Sequence, residues 1–221
     1  MSDRLDPALT TRTDFERVSA ATVAAASGLP TATLHEAAGK IGVMPMAIKP
    51  VARGMRFAGP ALTVQSPGGD NLWLHRAIYA AQPGDVLVVS VSGAYEHGYW
   101  GEIMATAAKV RGLAALVIDG CVRDGELLGD IGFPVFARGL CIRGTGKDFG
   151  ARGWIGHPTL FDNVTVNAGD LVVGDGDGVV AIPRERADAV IEASRQREAA
   201  EADQLRRIEA GETTMRLFNF G

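Results

Sequence analysis

Apolar positions along the chain follow two rhythms, and the clearest change of rhythm lies between Gly98 and Asp124 (GYWGEIMATAAKVRGLAALVIDGCVRD). After the loop glycines Gly98 and Gly101, the residues Ile103, Met104, Ala107 and Val110 recur at helical spacing. Lys109, Arg111 and Gly112 close that helix, with cations in its last turn and glycine just beyond. Residues 114–118 (AALVI) are short, continuous and apolar, the pattern of a strand covered on both faces. Upstream, residues 15–27 are Ala-rich and predict a helix stopped by Gly28-Leu29-Pro30. A second helix opens at Thr31 and ends at Gly39 and Gly42. Residues 55–64 (MRFAGPALTV) predict two strand segments broken at Gly59-Pro60. The turn at 66–71 leads into a helix over 72–81 with Asp70 or Asn71 as its N-cap, and residues 86–91 (VLVVSV) predict a buried strand. Downstream come a short helix (125–131), a strand near a sheet edge (133–137, holding Pro134) and strands at 164–166, 171–173 and 179–182. From Pro183 to about Glu209 the chain is charged, Ala-rich and helical, and an apolar tail (Met215, Leu217, Phe218, Phe220) fits docking on a partner.

Strands alternating with helices predict one α/β domain with a C-terminal helical arm. The expected division is a loosely ordered N-terminus at 1–13, an α/β domain at 14–183, and a helix and tail at 184–221 that meet a neighbouring subunit. With 221 residues, 47% of them hydrophobic but only 6% aromatic, the chain can bury a substantial core built from Ala, Val, Leu and Ile. The formal charge of −4 without a basic block argues against nucleic-acid binding through phosphate neutralisation. No apolar run approaches membrane-spanning length and the N-terminus lacks an apolar signal core, so the expectation is a soluble cytoplasmic protein without membrane contact. Cys121 and Cys141 lack metal-ligand spacing and read as reduced, buried thiols.

Candidate chemistry concentrates where the central stretch delivers two groups to one strand-end crevice. One is Glu102 with the unpaired N–H groups of a helix start; the other is Arg123-Asp124 beyond the strand. An acid, an anion-seeking helix terminus, a guanidinium and a second acid point to a metal-assisted site for an anionic substrate. The bland reading of Arg123-Asp124 is a surface ion pair worth little. Glu102 also favours the helix dipole, and Asn71 also serves as a cap. His35 and His97 read as packed or loop histidines, and Tyr99 and Trp100 as packing or pocket walls. Gly144-Thr145-Gly146-Lys147 is not a P-loop, because Cys141 stands at the first glycine position and Asp148 replaces the Ser/Thr. Residues 174–178 (GDGDG) lack the twelve-residue calcium-loop layout and predict a hairpin turn. Lys40, Lys49, Lys109 and Lys147 all fall in polar or turn contexts, so no Schiff-base lysine is evident.

Gly98-x-x-x-Glu102, twenty residues and then Arg123-Asp124 resembles the signature of the RraA-like family. ATLHEAAGKIG, SPGGDN, QPGDVLVVSV and GDLVVGDGDGVVAIP extend that likeness over roughly residues 30–211. Within the family the chain looks most like class II pyruvate aldolases that cleave 4-hydroxy-4-methyl-2-oxoglutarate and 4-carboxy-4-hydroxy-2-oxoadipate. The resemblance implies a three-layer β/β/α swivelling fold assembled as homotrimers or hexamers. It also implies Mg²⁺ or Mn²⁺ held by Asp124, with Gly101, Glu102, Ile103, Met104 and Arg123 on the substrate; Asn71, at a helix start beside the sheet, is a secondary candidate for substrate binding read from its position alone. An acid from the neighbouring subunit's C-terminal helix, Glu201 or Glu198, is expected to complete the site. The family also holds a non-catalytic regulator of ribonuclease E, which resembles this chain but lacks the Asp after the Arg and the long C-terminal helix.

Overall fold

The computed structural model describes residues 6–220. Of the N-terminus expected to be loose, residues 1–5 lie outside that span. Pro7–Thr10 forms a 3₁₀ turn capped by Asp6, and the Arg12 N–H donates to the Ile155 carbonyl at 2.9 Å. The helix expected over 15–27 starts only at α1 (Ala20–Ala26). The residues before it stay outside the helix because they are held by the turns that precede β3 and β11. The Arg17 guanidinium grips the fully buried Asp85 carboxylate at 2.7 and 3.0 Å, and the Val18 N–H donates to Gly169.

α2 (Thr31–Ala37) follows, then β1 (Lys49–Pro50) and β2 (Phe57–Gln65). β2 is one strand, where the sequence predicted two segments. Pro60 causes no break because pairing with the next strand starts one residue later, at Ala61 opposite Val86. The Ala61 N–H already points the other way, to Asp170. The missing donor of Pro60 therefore costs no ladder bond. Next come α3 (Leu72–Ala80), β3 (Val86–Ser90), α4 (Glu102–Val110) and β4 (Ala115–Asp119). They lead into β5 (Cys121–Val122), α5 (Gly125–Ile131), β6 (Val135–Ala137) and β7 (Gly139–Leu140). β8 (Trp154–Ile155), β9 (Thr159–Phe161), β10 (Val164–Val166), β11 (Leu171–Asp175) and β12 (Gly178–Ile182) complete the strands. The last two close through a two-residue turn in the GDGDG stretch, with Asp175 opposite Gly178. α6 (Ala187–Glu209) forms the arm and α7 (Thr214–Leu217) the tail.

The main sheet runs β1-β6-β4-β3-β2-β11-β12, with β8 added beside β2. β2, β3, β4 and β6 are parallel, and β1, β8, β11 and β12 are antiparallel to their neighbours. Alternate residues of the parallel strands enter two separate cores. Leu62, Val64, Leu87, Val89, Leu116 and Ile118 pack under α3 and α4. Ala61, Val86, Val88, Ala115 and Val117 pack instead against Val172, Val179 and Ala181 of β11 and β12. The sheet has therefore curled until its own strands face one another, giving the β/β/α layering. α1, α2 and α6 cover the outer side of β11 and β12 through Leu34, Val173, Val180, Ile182, Val190 and Ile191.

α4 turns a different face to the core from the one its apolar stripe predicted. Met104, Ala105 and Ala108 are buried, while Ile103 and Val110 are 78% and 82% exposed. The alanines let the helix lie close on the sheet, and the bulkier apolar residues are left outward. Cys121 and Cys141 are half-buried free thiols, not buried as expected.

Candidate active site

Parallel α/β sheets offer a crevice beyond the carboxyl ends of their strands. Here that crevice is walled by the segment after β3, the start of α4 and the turn after β5. Gly101 is the N-cap of α4 and has no side chain to cap with. Asp124 supplies the cap from across the crevice, its Oδ2 accepting the Glu102 N–H at 3.1 Å. The N–H groups of Ile103 and Met104, also in the first turn, have no acceptor within the helix. Asp124 adopts a left-handed backbone (φ 61°), a conformation uncommon outside glycine and often met at functional sites. The Arg123 N–H donates to the Trp100 carbonyl at 2.8 Å, pinning the two loops together.

Two glycines of the signature exist because of this closeness. A Cβ on Gly101 would lie 2.3 Å from Asp124 Oδ2, and one on Gly98 would lie 2.5 Å from the Cys141 carbonyl oxygen. Both glycines are needed for the absence of a side chain, since Gly101 itself is extended (φ −157°).

A cavity of about 290 Å³ is lined by Asn71, Gly98, Tyr99, Trp100, Gly101, Glu102, Ile103, Met104, Arg123 and Asp124. The residues singled out from the central stretch therefore share one cavity, together with Asn71. Asn71 is buried; its Nδ2 donates to the Tyr99 carbonyl at 2.9 Å and to Met104 Sδ, while its Oδ1 has no partner. It sits at the N-cap position of α3 without capping it. That work falls to Asp70, whose Oδ1 accepts the Leu72 N–H at 2.8 Å. Trp100 Nε1 is a second buried, unpartnered polar atom in the same wall. The Tyr99 hydroxyl accepts from the Gly69 N–H and donates to the Ala94 carbonyl. Burial pushes its pKa up, and with both of its hydrogen bonds going to the backbone the phenol braces the Gly69 and Ala94 turns. The His97 ring tilts against Tyr99 and lies outside the cavity wall.

Two lining residues escaped the sequence reading, His75 and Lys147. His75 projects from α3, and Lys147 belongs to the rejected P-loop-like segment. His75 is shifted below the usual histidine value, first by burial and then by the Lys147 charge, against an opposing pull from Asp70. A periodicity check on α3 flags His75 as a polar residue beside an apolar face, whereas nothing local points to Lys147.

The Arg123–Asp124 ion pair is long (3.8 Å) and its side chains are half- and one-third-exposed, which adds little to stability. Its significance is that Asp124 uses Oδ2 for protein contacts and makes no protein hydrogen bond through Oδ1. A carboxylate oxygen left open beside a second acid, Glu102, is the donor set that a hard divalent cation accepts alongside several waters. No group of three or more His, Cys, Asp or Glu side chains that could cage a metal exists among the described residues. A cation bound here would rest on Asp124, with water completing its shell. Neither Glu198 nor Glu201 lines this cavity. Glu198 accepts a hydrogen bond from the Thr33 hydroxyl at 2.6 Å, and Glu201 pairs with Arg197 at 2.9 Å.

The Aldolase/RraA model of the RraA-like group matches residues 31–181. The chain belongs to the RraA-like family. A Halalkalibacterium halodurans protein named "Putative 4-hydroxy-4-methyl-2-oxoglutarate aldolase" is 34% identical over 180 residues, 81% of this chain and 85% of that protein. Among solved structures, an uncharacterized Pseudomonas syringae pv. tomato protein superposes with a TM-score of 0.79 at 30% identity, covering 90% of this chain and 93% of that one. RraAS2 of Streptomyces coelicolor, described as an unusual member of the RNase ES inhibitor RraA family, matches with a TM-score of 0.75 at 27% identity, covering 86% and 100%. The β/β/α fold is thus that of an RraA-like family that spans aldolase-named and inhibitor-named proteins, and α6 lies beyond the residues that the family model matches.

Proposed function

We propose that the chain is a divalent-metal-dependent (class II) pyruvate aldolase acting on 4-hydroxy-2-oxo acids such as 4-hydroxy-4-methyl-2-oxoglutarate or 4-carboxy-4-hydroxy-2-oxoadipate. Oxaloacetate decarboxylation follows as a side activity, because it passes through the same pyruvate enolate. The observation that carries this reading is Asp124, held by its left-handed backbone at the start of α4 with one carboxylate oxygen open to a cavity it shares with Arg123 and Glu102. The aldolase-named relative supports it.

Asp124 would hold Mg²⁺ or Mn²⁺, which when bound supplies the electron sink for the substrate's 2-oxo oxygen. The first-turn N–H groups of α4 orient the substrate carboxylate. The Arg123 guanidinium neutralises negative charge at that carboxylate and at the developing enolate through its planar fork. Glu102, at the exposed edge of the cavity, takes the C4 hydroxyl proton directly or through one water. The C3–C4 bond then breaks with its electron pair moving into the pyruvate enolate. C4 becomes a carbonyl, and the proton returns to C3. In a homotrimer or hexamer, Glu201 or Glu198 of a neighbouring copy would add a further carboxylate for proton transfer. The setting proposed for this chemistry is the cytoplasm, and no helix among the described residues is long and apolar enough to cross a membrane.

A lactate-dehydrogenase-coupled assay on both hydroxy-oxo acids and on oxaloacetate, with and without chelator, tests the reading. Metal-dependent pyruvate from the hydroxy-oxo acids is the expected result. Turnover of oxaloacetate alone would reassign the enzyme as a decarboxylase. Silence on all three would favour the second reading, a non-catalytic regulator of a ribonuclease, which the inhibitor-named structural relative supports.

A further inference from the structure

Carbon–carbon cleavage leaves a pyruvate enolate whose C3 must gain a proton before pyruvate departs. Few residues lining the Asp124 cavity are placed to carry it. Glu102 takes the C4 hydroxyl proton at the exposed edge, where water removes it, and Arg123 faces the carboxylate. The Tyr99 hydroxyl is occupied by the Gly69 N–H and the Ala94 carbonyl, and Lys147 is exposed. His75 is half-buried, and histidine ordinarily titrates near neutral pH, where a general acid–base group works best.

The fold brings His75 in from one side. Strand order β4-β3-β2 sets α3, α4 and α5 side by side over one face of the sheet, with α4 in the middle. Asp124 meets the α4 start on the α5 side. Asn71 meets it on the α3 side, through the Tyr99 carbonyl and Met104 Sδ. His75 stands one turn further along α3, its N–H donating to the Asn71 carbonyl at 3.2 Å. It therefore lines the cavity from the side opposite Asp124. The start of α3 is held firmly. Asp70, only 5% exposed, divides its two oxygens between the Leu72 N–H and the Asp148 N–H, and the Gly146 N–H donates to the Gly69 carbonyl at 2.7 Å. The His75 ring itself makes no hydrogen bond or ion pair among the described residues. Lys147 and Asp70 act on it most closely, Glu102, Arg123 and Asp124 share its cavity, and Arg76 of its own helix lies over Trp73. Burial first, and Lys147 second, favour the neutral ring at rest. A neutral imidazole can accept a proton from the pyruvate methyl group, and the negative charge of the enolate favours giving it back.

We propose that His75 is the proton carrier for C3. Its imidazolium N–H proton passes to C3 as the C2–C3 double-bond pair forms the new C–H bond and the enolate oxygen restores the 2-oxo group; the neutral ring then regains a proton from water. In reverse, the same ring removes a methyl proton from pyruvate. The inference rests on the aldolase reading for its reaction, but its test needs pyruvate alone. The Mg²⁺-loaded full chain is given saturating pyruvate in D₂O, and loss of the methyl protons is followed by NMR. In wild type the exchange rate should climb with pH and level off, with its midpoint at the pKa that the His75 ring-proton signals report in the same sample. His75→Gln should lose about 100-fold of the rate, and the pH dependence with it, while calorimetry shows pyruvate binding unchanged. Added imidazole should restore part of the exchange in His75→Ala, which a merely structural role would not allow. A midpoint away from the ring titration, or exchange that persists in His75→Gln, overturns the proposal. Exchange absent from wild type also overturns it, and cleavage of 4-hydroxy-4-methyl-2-oxoglutarate by that protein would leave the aldolase reading standing. Exchange that depends on His75 in a protein that cleaves neither hydroxy-oxo acid upholds the proton carrier and removes the aldolase reading alone.

Discussion

At Gly101 the cost of one methyl group can be read directly. Its backbone is extended and tolerates any residue, yet a Cβ would stand 2.3 Å from Asp124 Oδ2. Gly101→Ala is therefore expected to swing the Asp124 carboxylate away from the α4 start without disturbing the core. Displacing a catalytic group by about 1 Å costs on the order of 100-fold in rate, so kcat/KM should fall by about that factor. The melting temperature should hold, and circular dichroism during heating checks that half of the prediction. His75 offers a second test. Its pKa is held below 6.5 by burial and by Lys147, so the folded state prefers the neutral ring. The stability from that preference is fully present above pH 6.5 and is lost as pH falls through the folded value. Removing the cation in Lys147→Met should raise the His75 pKa toward its ordinary value, as followed by the ring-proton chemical shift against pH.

Among the elements, α4, β4 and α5 were legible because their patterns are local: helical spacing, a short apolar run, and glycine at the breaks. The signature residues Gly101, Glu102, Arg123 and Asp124 were legible for the same reason, being carried on consecutive elements. What escaped was decided by distant partners. Residues 15–19 look helical but stay outside the helix because Arg17 is bound to Asp85 and Val18 to Gly169. The stripe on α4 misled because Ala105 and Ala108 allow closer packing than Ile103 and Val110 would. β9 is only three residues long and has no pattern of its own apart from its pairing with β10. Lys147 was read as a turn residue because its delivery depends on Asp70, 77 positions away by the numbering of the chain. Asp70→Ala would remove the α3 cap and the Asp148 clamp together. It is expected to destabilise the protein by about 2–4 kcal/mol, measured by chemical denaturation, and to expose residues 144–151 to faster amide exchange. Protection there equal to wild type would show that the Gly69–Gly146 bonds suffice.

For the whole molecule, the curled sheet buries three cores and leaves the α6 arm with much of its length unsupported by its own chain. Leu205, Met215, Phe218 and Phe220 are exposed at its end. A cavity of about 520 Å³ there is lined by Arg197, Glu201, Leu205, Ile208 and Phe218. Exposed apolar side chains in this arrangement fit the proposed homotrimer or hexamer, and sedimentation should return three or six copies; a monomer at micromolar concentration would remove the neighbouring glutamate from the account. The central claim is that Asp124 anchors the cation on which carbon–carbon cleavage depends. Its most direct test is pyruvate release from 4-hydroxy-4-methyl-2-oxoglutarate by wild type and Asp124→Ala, each stripped with chelator and then given Mg²⁺. The account predicts that wild type regains activity with Mg²⁺ and that Asp124→Ala stays inactive while folded. Activity in the stripped wild type, or full rescue of Asp124→Ala, would contradict it.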